Sequence, residues 1–82
     1  MDNSFYYIVG RNSCPFCVKA KELLENKSIN CYFRDLESER DLLMEYCKKF
    51  DWNTVPMVFF VHDDEQYEFV GGFNDLRSRV GE

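Results

Sequence analysis

A small mixed β-sheet with helices on both faces is the fold class this sequence predicts, and three observations predict it. Strand signals recur at residues 5–9, 31–36, 55–61 and 66–70, unbroken apolar runs in the first and third and alternating in the last, and helical spacing fills the longer gaps between the first three. The first two runs are separated by a helix, so they pair in parallel through a right-handed crossover. The last two are joined by a short polar turn, so they pair antiparallel. The order is β-α-β-α-β-β-α, an α/β arrangement of four strands and three helices within one domain spanning residues 1–82.

Each element has its own reason. Phe5-Tyr6-Tyr7-Ile8-Val9 is continuously apolar rather than alternating, the mark of a strand covered on both faces, and Gly10 ends it. Pro15 opens the first helix, where its missing N–H has no partner to lose, and this puts Cys14 at the N-cap. Phe16, Ala20, Leu23 and Leu24 follow one buried helical face, which fades near Asn26–Ser28. Cys31 to Leu36 reads as the second strand. Ser38 is the expected cap of the second helix, with Asp41 in the capping-box position and Leu43, Tyr46, Cys47 and Phe50 on its apolar face. Val55 to Val61 is a strand with Pro56 near its start, where a missing donor is tolerated. His62 to Glu65 turns the chain, Gln66 to Val70 returns, and Gly71-Gly72 breaks the strand. Asn74 is the expected cap of a last helix over Asp75–Val80, with Arg77 and Arg79 suited to its C-terminal dipole.

Composition narrows the function. One Trp, five Tyr and eight Phe give a short chain large rings with which to build a core. No apolar run approaches the ~18 residues of a membrane span, and the N-terminus lacks the basic region of a signal peptide, so a reducing cytoplasm is the expected location. A net charge of −5 argues against nucleic-acid or anionic-membrane partners. The charge is uneven. Residues 11–34 hold five basic groups against Glu22 and Glu25, a local excess that suits a small anionic partner or simply forms a solvated helix face.

Cys14-Pro15-Phe16-Cys17 carries the chemistry. A cysteine reacts as its thiolate. Unpaired N–H groups and the helix dipole favour an anion at Cys14, with Arg11 three residues before it and Lys19 within reach. Cys17, one turn in, is placed to attack a mixed disulfide formed at Cys14. This spacing makes Cys14 the nucleophile and Cys17 the resolving thiol. A metal site would need further ligands from Cys31, Cys47 and His62, none of which forms a second CxxC or another zinc-type spacing. Cys31 and Cys47 read as core cysteines and His62 as a turn residue, so no metal is expected.

The run Gly10-Arg11-Asn12-Ser13-Cys14-Pro15-Phe16-Cys17-Val18-Lys19-Ala20-Lys21 resembles the active-site segment of glutaredoxins, in their short dithiol form. Thr54-Val55-Pro56 and Gly71-Gly72-Phe73-Asn74-Asp75-Leu76 resemble two later segments of the same family, in the same order. The resemblance implies a thioredoxin-like fold and a glutathione-dependent thiol–disulfide oxidoreductase acting on protein disulfides and glutathionylated proteins, with ribonucleotide reductase a possible recipient. It implies a cis Val55–Pro56 bond that aims the Val55 backbone at glutathione, with Thr54 lining the same groove. Asn74 and Asp75 would meet the γ-glutamyl end, Phe16 and Gly72 would belong to the same glutathione site, and Arg11 would serve the glycyl carboxylate or Cys14. Phe16 keeps the ring but lacks the hydroxyl of the family's commoner tyrosine. Trp52-Asn53 departs from the family pattern, and Trp52 either walls the groove or packs beneath the loop. Glutathione enters as a co-substrate, no bound cofactor is required, and a monomer is the default. Two alternatives accompany this reading. Some family members carry an iron–sulfur cluster, which Pro15 disfavours, and thioredoxin-type reductants that ignore glutathione carry a different sequence around their CxxC.

Overall fold

The computed structural model describes residues 3–81. In chain order its elements are β1 (Phe5–Gly10), α1 (Pro15–Asn26), β2 (Cys31–Asp35), α2 (Arg40–Phe50), β3 (Met57–Val61), β4 (Tyr67–Gly71) and α3 (Phe73–Arg79). The strands form one sheet in the order β2-β1-β3-β4. β1 runs parallel to β2, with Tyr6 opposite Cys31 and Gly10 opposite Asp35, and antiparallel to β3, with Val9 opposite Met57. β3 and β4 are antiparallel, and a slip between Val58 and Phe59 leaves Val70 as an extra residue, a β-bulge.

β1 is central and its alternate residues enter two different cores, which explains its unbroken apolar sequence. Tyr6 and Ile8 pack with Ala20, Leu24, Val58 and Leu76 beneath α1 and α3. Val9 packs with Leu36, Met57 and Phe59 on the α2 side, where Tyr7, Tyr46, Phe50 and Phe69 close over them. The second core is built of rings. Phe59 lies 4.9 Å from Phe50 and 5.2 Å from Phe69 between centroids, both within the range of favourable ring contact.

The topology decides where a site forms. Because β1 and β3 are antiparallel, the end of β1 meets the start of β3, and Gly71 at the end of β4 lies opposite Val58. Three connections therefore emerge at one end of the sheet: the loop into α1, the segment into β3 and the turn into α3.

Several local expectations need correction. The helical spacing puts Phe16 on the buried face of α1, yet it is 53 % exposed; Cys17, Ala20 and Leu24 face inward instead, one position round the helix. Ser38 does not cap α2: Glu37 and Ser38 form a turn closed by Glu39 N–H to Leu36 O at 3.0 Å, and Glu39 becomes the N-cap without a side-chain bond. Asn74 does not cap α3. Gly72 is the N-cap, and the Asp75 carboxylate accepts its N–H at 2.9 Å. β3 starts at Met57 because Val55 and Pro56 precede the ladder, β2 stops at Asp35, and β4 extends to Gly71. Gly71 has φ +128°, and a Cβ there would collide with the Asp75 carboxylate, so glycine is required at this turn.

Candidate active site

Two thiols on one helix turn meet very different surroundings. Cys14 is the N-cap of α1, in extended conformation, and Pro15 follows at the first helical position. Its N–H donates to Arg11 O at 3.1 Å, which closes the loop, and its C=O accepts the Val18 N–H at 3.1 Å. The side chain is partly exposed at the open end of the helix, where the first N–H groups, Pro15 having none, lack intrahelical acceptors. Cys17 is fully buried beneath Gly10. A Cβ at Gly10 would stand 2.5 Å from Cys17 Sγ, so the strand end needs glycine for the sulfur to fit. Burial, followed by the hydrogen bond with Cys14, pushes the Cys17 thiol up to about 12. One sulfur is open and the other is held protonated behind it.

Val55–Pro56 is a cis peptide, as expected, and Val55 O lies 3.8 Å from Cys14 Sγ, which donates to it. Beside this contact lies a groove of about 340 Å³ lined by Phe16, Trp52, Thr54, Val55, Pro56, Gly72, Phe73, Asn74 and Asp75. Its size is at the small end of the ~300–1,000 Å³ typical of ligand pockets. Among the described residues the Val55 N–H has no hydrogen-bond partner, so this backbone faces the groove with its donor unused. Trp52 does both things expected of it as alternatives. It walls the groove and its ring meets Phe69 edge-on at 5.2 Å. The chain reaches it through Asp51 in left-handed conformation and a Trp52 N–H bond to Cys47 O at 3.0 Å, which ends α2.

A Glutaredoxin family model matches residues 5–65. The chain belongs to the glutaredoxin family. Glutaredoxin 1 of Escherichia coli K12 is 33 % identical, the alignment covering 92 % of this chain and 91 % of that one. Among solved structures, glutaredoxin 1 of Francisella tularensis, crystallised with cacodylate, is 28 % identical with a TM-score of 0.67, covering 94 % of this chain and 92 % of its own. The glutaredoxin of Brucella melitensis is 29 % identical with a TM-score of 0.70, covering 94 % and 80 % respectively. The sheet and its three helices are thus the thioredoxin-like glutaredoxin fold, and the chain's chemistry is that of a thiol–disulfide oxidoreductase.

Within this glutaredoxin, seven of the residues expected to meet glutathione line the groove: Phe16, Thr54, Val55, Pro56, Gly72, Asn74 and Asp75. Arg11 does not; it offers its carbonyl to Cys14, and its charge acts on Cys17 and Glu37. Lys19 does not turn to the sulfur either, since its Nζ sits 5.1 Å over the Phe16 ring.

Sequence reasoning missed two carboxylates that hold the loop. Asp35 accepts Asn12 N–H at 3.3 Å and Asn12 Nδ2 at 2.8 Å, while Glu37 accepts Ser13 N–H at 3.1 Å. The Ser13 bonds hold the Glu37 carboxyl below its ordinary value. The parallel register, counted from Tyr6 and Cys31, sets Asp35 beside Gly10 and was the available signal. Phe73 also lines the groove, with no local sequence signal for that place. Cys31 and Cys47 are partly buried against the two cores, and burial raises the Cys31 thiol. Among the described residues, no group of three or more His, Cys, Asp or Glu is placed to hold a metal ion, and no helix is long and apolar enough to cross a membrane.

Proposed function

We propose that this chain is a glutathione-dependent oxidoreductase that reduces protein disulfides and protein–glutathione mixed disulfides. The observation that carries the reading is Cys14 Sγ at 3.8 Å from Val55 O, on the rim of a groove lined by Thr54, Pro56, Gly72, Asn74 and Asp75. Cys14 is the nucleophile because it is the accessible thiol, and Cys17 resolves because it lies one helical turn behind Cys14, within hydrogen-bond reach of its sulfur.

The Cys14 thiolate attacks one sulfur of the target disulfide. A Cys14–substrate bond forms, the target's S–S bond breaks, and the other sulfur leaves as a thiolate that takes up a proton. Cys17 then gives up its proton and attacks Cys14 Sγ, releasing the second substrate thiol and leaving Cys14–Cys17 oxidised by two electrons. Two glutathione molecules restore the dithiol and depart as glutathione disulfide. When the target is itself a glutathione mixed disulfide, Cys14 takes the glutathionyl group, and a second glutathione releases it without Cys17.

The groove residues supply the fit. The unused Val55 N–H and its C=O offer strand-like bonds to the cysteinyl unit of the tripeptide. Asp75 spends one carboxylate oxygen on Gly72 N–H and keeps acceptor capacity for the γ-glutamyl ammonium, with Asn74 beside it. Phe16, Pro56 and Trp52 exclude water. Arg11 contributes a cation near the loop, which favours an anionic tripeptide over a neutral one. Cytoplasmic work as a monomer fits this reading, and ribonucleotide reductase is one disulfide protein that such an enzyme would serve.

The test is turnover of the mixed disulfide of glutathione and mercaptoethanol, coupled to glutathione reductase. Activity is expected, and Asp75→Ala raises the apparent KM for this substrate about three- to tenfold, the loss of one charge-assisted contact, while kcat changes less. An unchanged KM removes Asp75 from the site, and an inert wild type removes glutathione from the reaction.

A further inference from the structure

We propose that the rim of the groove docks protein substrates that carry an apolar side chain and an acidic one beside the sulfur to be attacked. This rests on Cys14 being the attacking thiol. Phe16 follows Cys14 by two residues and is the most exposed ring next to it, at 53 %. It meets Phe73, the first residue of α3, at 5.8 Å between centroids and 45°. Each ring carries a cation: Lys19 Nζ is 5.1 Å from the centroid of Phe16, and Arg77 Cζ is 5.9 Å from that of Phe73. Two elements distant in sequence thus present two rings in contact, flanked by two positive charges.

Charge decides the occupant. The chain has 15 acidic residues against 10 basic ones, and Arg34 and Arg79 are paired with Glu39 and Glu68. Lys19 and Arg77 are exposed, and neither has a carboxylate partner among the described residues, despite that surplus. A cation over a ring is attracted more strongly once water is excluded, so a partner that covers Phe16 and Phe73 strengthens both contacts. An acidic side chain on that partner then meets two cations that no ion pair among the described residues holds, the nearby Asp75 carboxylate being bonded to Gly72 N–H. Neither Lys19 nor Arg77 lines the groove, so they are not the tripeptide's own ligands. A second copy of this chain is a poor occupant. A two-fold contact would set these cations against their own copies, between molecules of net charge −5.

Two disulfide-bonded peptides test this, identical except that the residues flanking the reactive cysteine are leucine with aspartate in one and leucine with lysine in the other. Reduction by the dithiol enzyme is compared with turnover of the glutathione–mercaptoethanol mixed disulfide. The wild type prefers the acidic peptide by about threefold or more in kcat/KM at low salt, and the preference shrinks as salt screens the exposed charges. Lys19→Glu/Arg77→Glu reverses the preference and Lys19→Gln/Arg77→Gln abolishes it, while both keep turnover of the small mixed disulfide. Equal rates on the two peptides overturn the docking face, as does a charge-reversed variant that loses the same factor on both. A wild type selective between the peptides yet inert toward the small mixed disulfide keeps the docking face and removes the glutathione reading. Self-association that masks Phe16 assigns the face to a second copy and overturns the proposal.

Discussion

At the scale of single residues, the two thiols are separated in reactivity by a glycine. Gly10 leaves just enough room for Cys17 Sγ to be buried beneath the strand end, and burial then keeps that thiol protonated while Cys14 stays open at the helix end. Gly10→Ala is expected to destabilise the reduced protein by about 1–3 kcal/mol through overpacking. Cys17→Ala in the same chain should recover part of that loss, measured as a coupling in a double-mutant cycle by urea denaturation. Additive losses would mean that the sulfur does not occupy the space Gly10 leaves. The sequence made the cysteines themselves legible, because a CxxC spanning the start of a proline-led helix has few other uses. It did not reveal that Phe16 faces outward. Positions 16, 20 and 24 and positions 17, 20 and 24 both fit a helical stripe, and only the space under Gly10 decides for Cys17. The carboxylates of Asp35 and Glu37 were hidden for a similar reason, since hydrogen bonds across more than twenty residues leave no local pattern.

At the scale of elements, β1 and α1 carry the groups most altered by folding. Cys17 on α1 and Tyr7 on β1 are both pushed up to about 12, each chiefly by burial, with Tyr46 bonded to Tyr7. Both acids hold their protons more tightly in the folded state than in the unfolded chain. The stability they contribute is therefore fully present below pH 9.0, where the thiol and the phenol are protonated in either state, and is lost as the pH rises toward 12. The thermal midpoint of the reduced protein should fall over that interval, and that of Cys17→Ala should fall less steeply; parallel curves would contradict the burial argument. Element order and type were readable from apolar periodicity, whereas caps were not. Ser38 and Asn74 have the right chemistry for N-caps, but a turn closed on Leu36 uses the first, and Asp75 satisfies Gly72 N–H from inside the helix and displaces the second.

At the scale of the whole molecule, a site forms because antiparallel pairing of β1 with β3 and of β3 with β4 delivers three connections to one end of the sheet. The dithiol loop and the cis-proline segment are 41 positions apart at Cys14 and Val55, the turn into α3 comes later still, and together the three make one groove. That convergence was legible only through the resemblance to a family, since nothing local in Thr54-Val55-Pro56 points to Cys14. Lys19 and Arg77 stand over the rings of Phe16 and Phe73 on this side, two basic groups beside the groove in a chain of net charge −5. The central claim is that Cys14 alone takes the glutathionyl group. The most direct measurement treats Cys17→Ser with glutathione disulfide at neutral pH and maps the adduct by peptide mass spectrometry. A single adduct on Cys14, removed by added glutathione, is the predicted result; an adduct on Cys31 or Cys47 with Cys14 unmodified would contradict it.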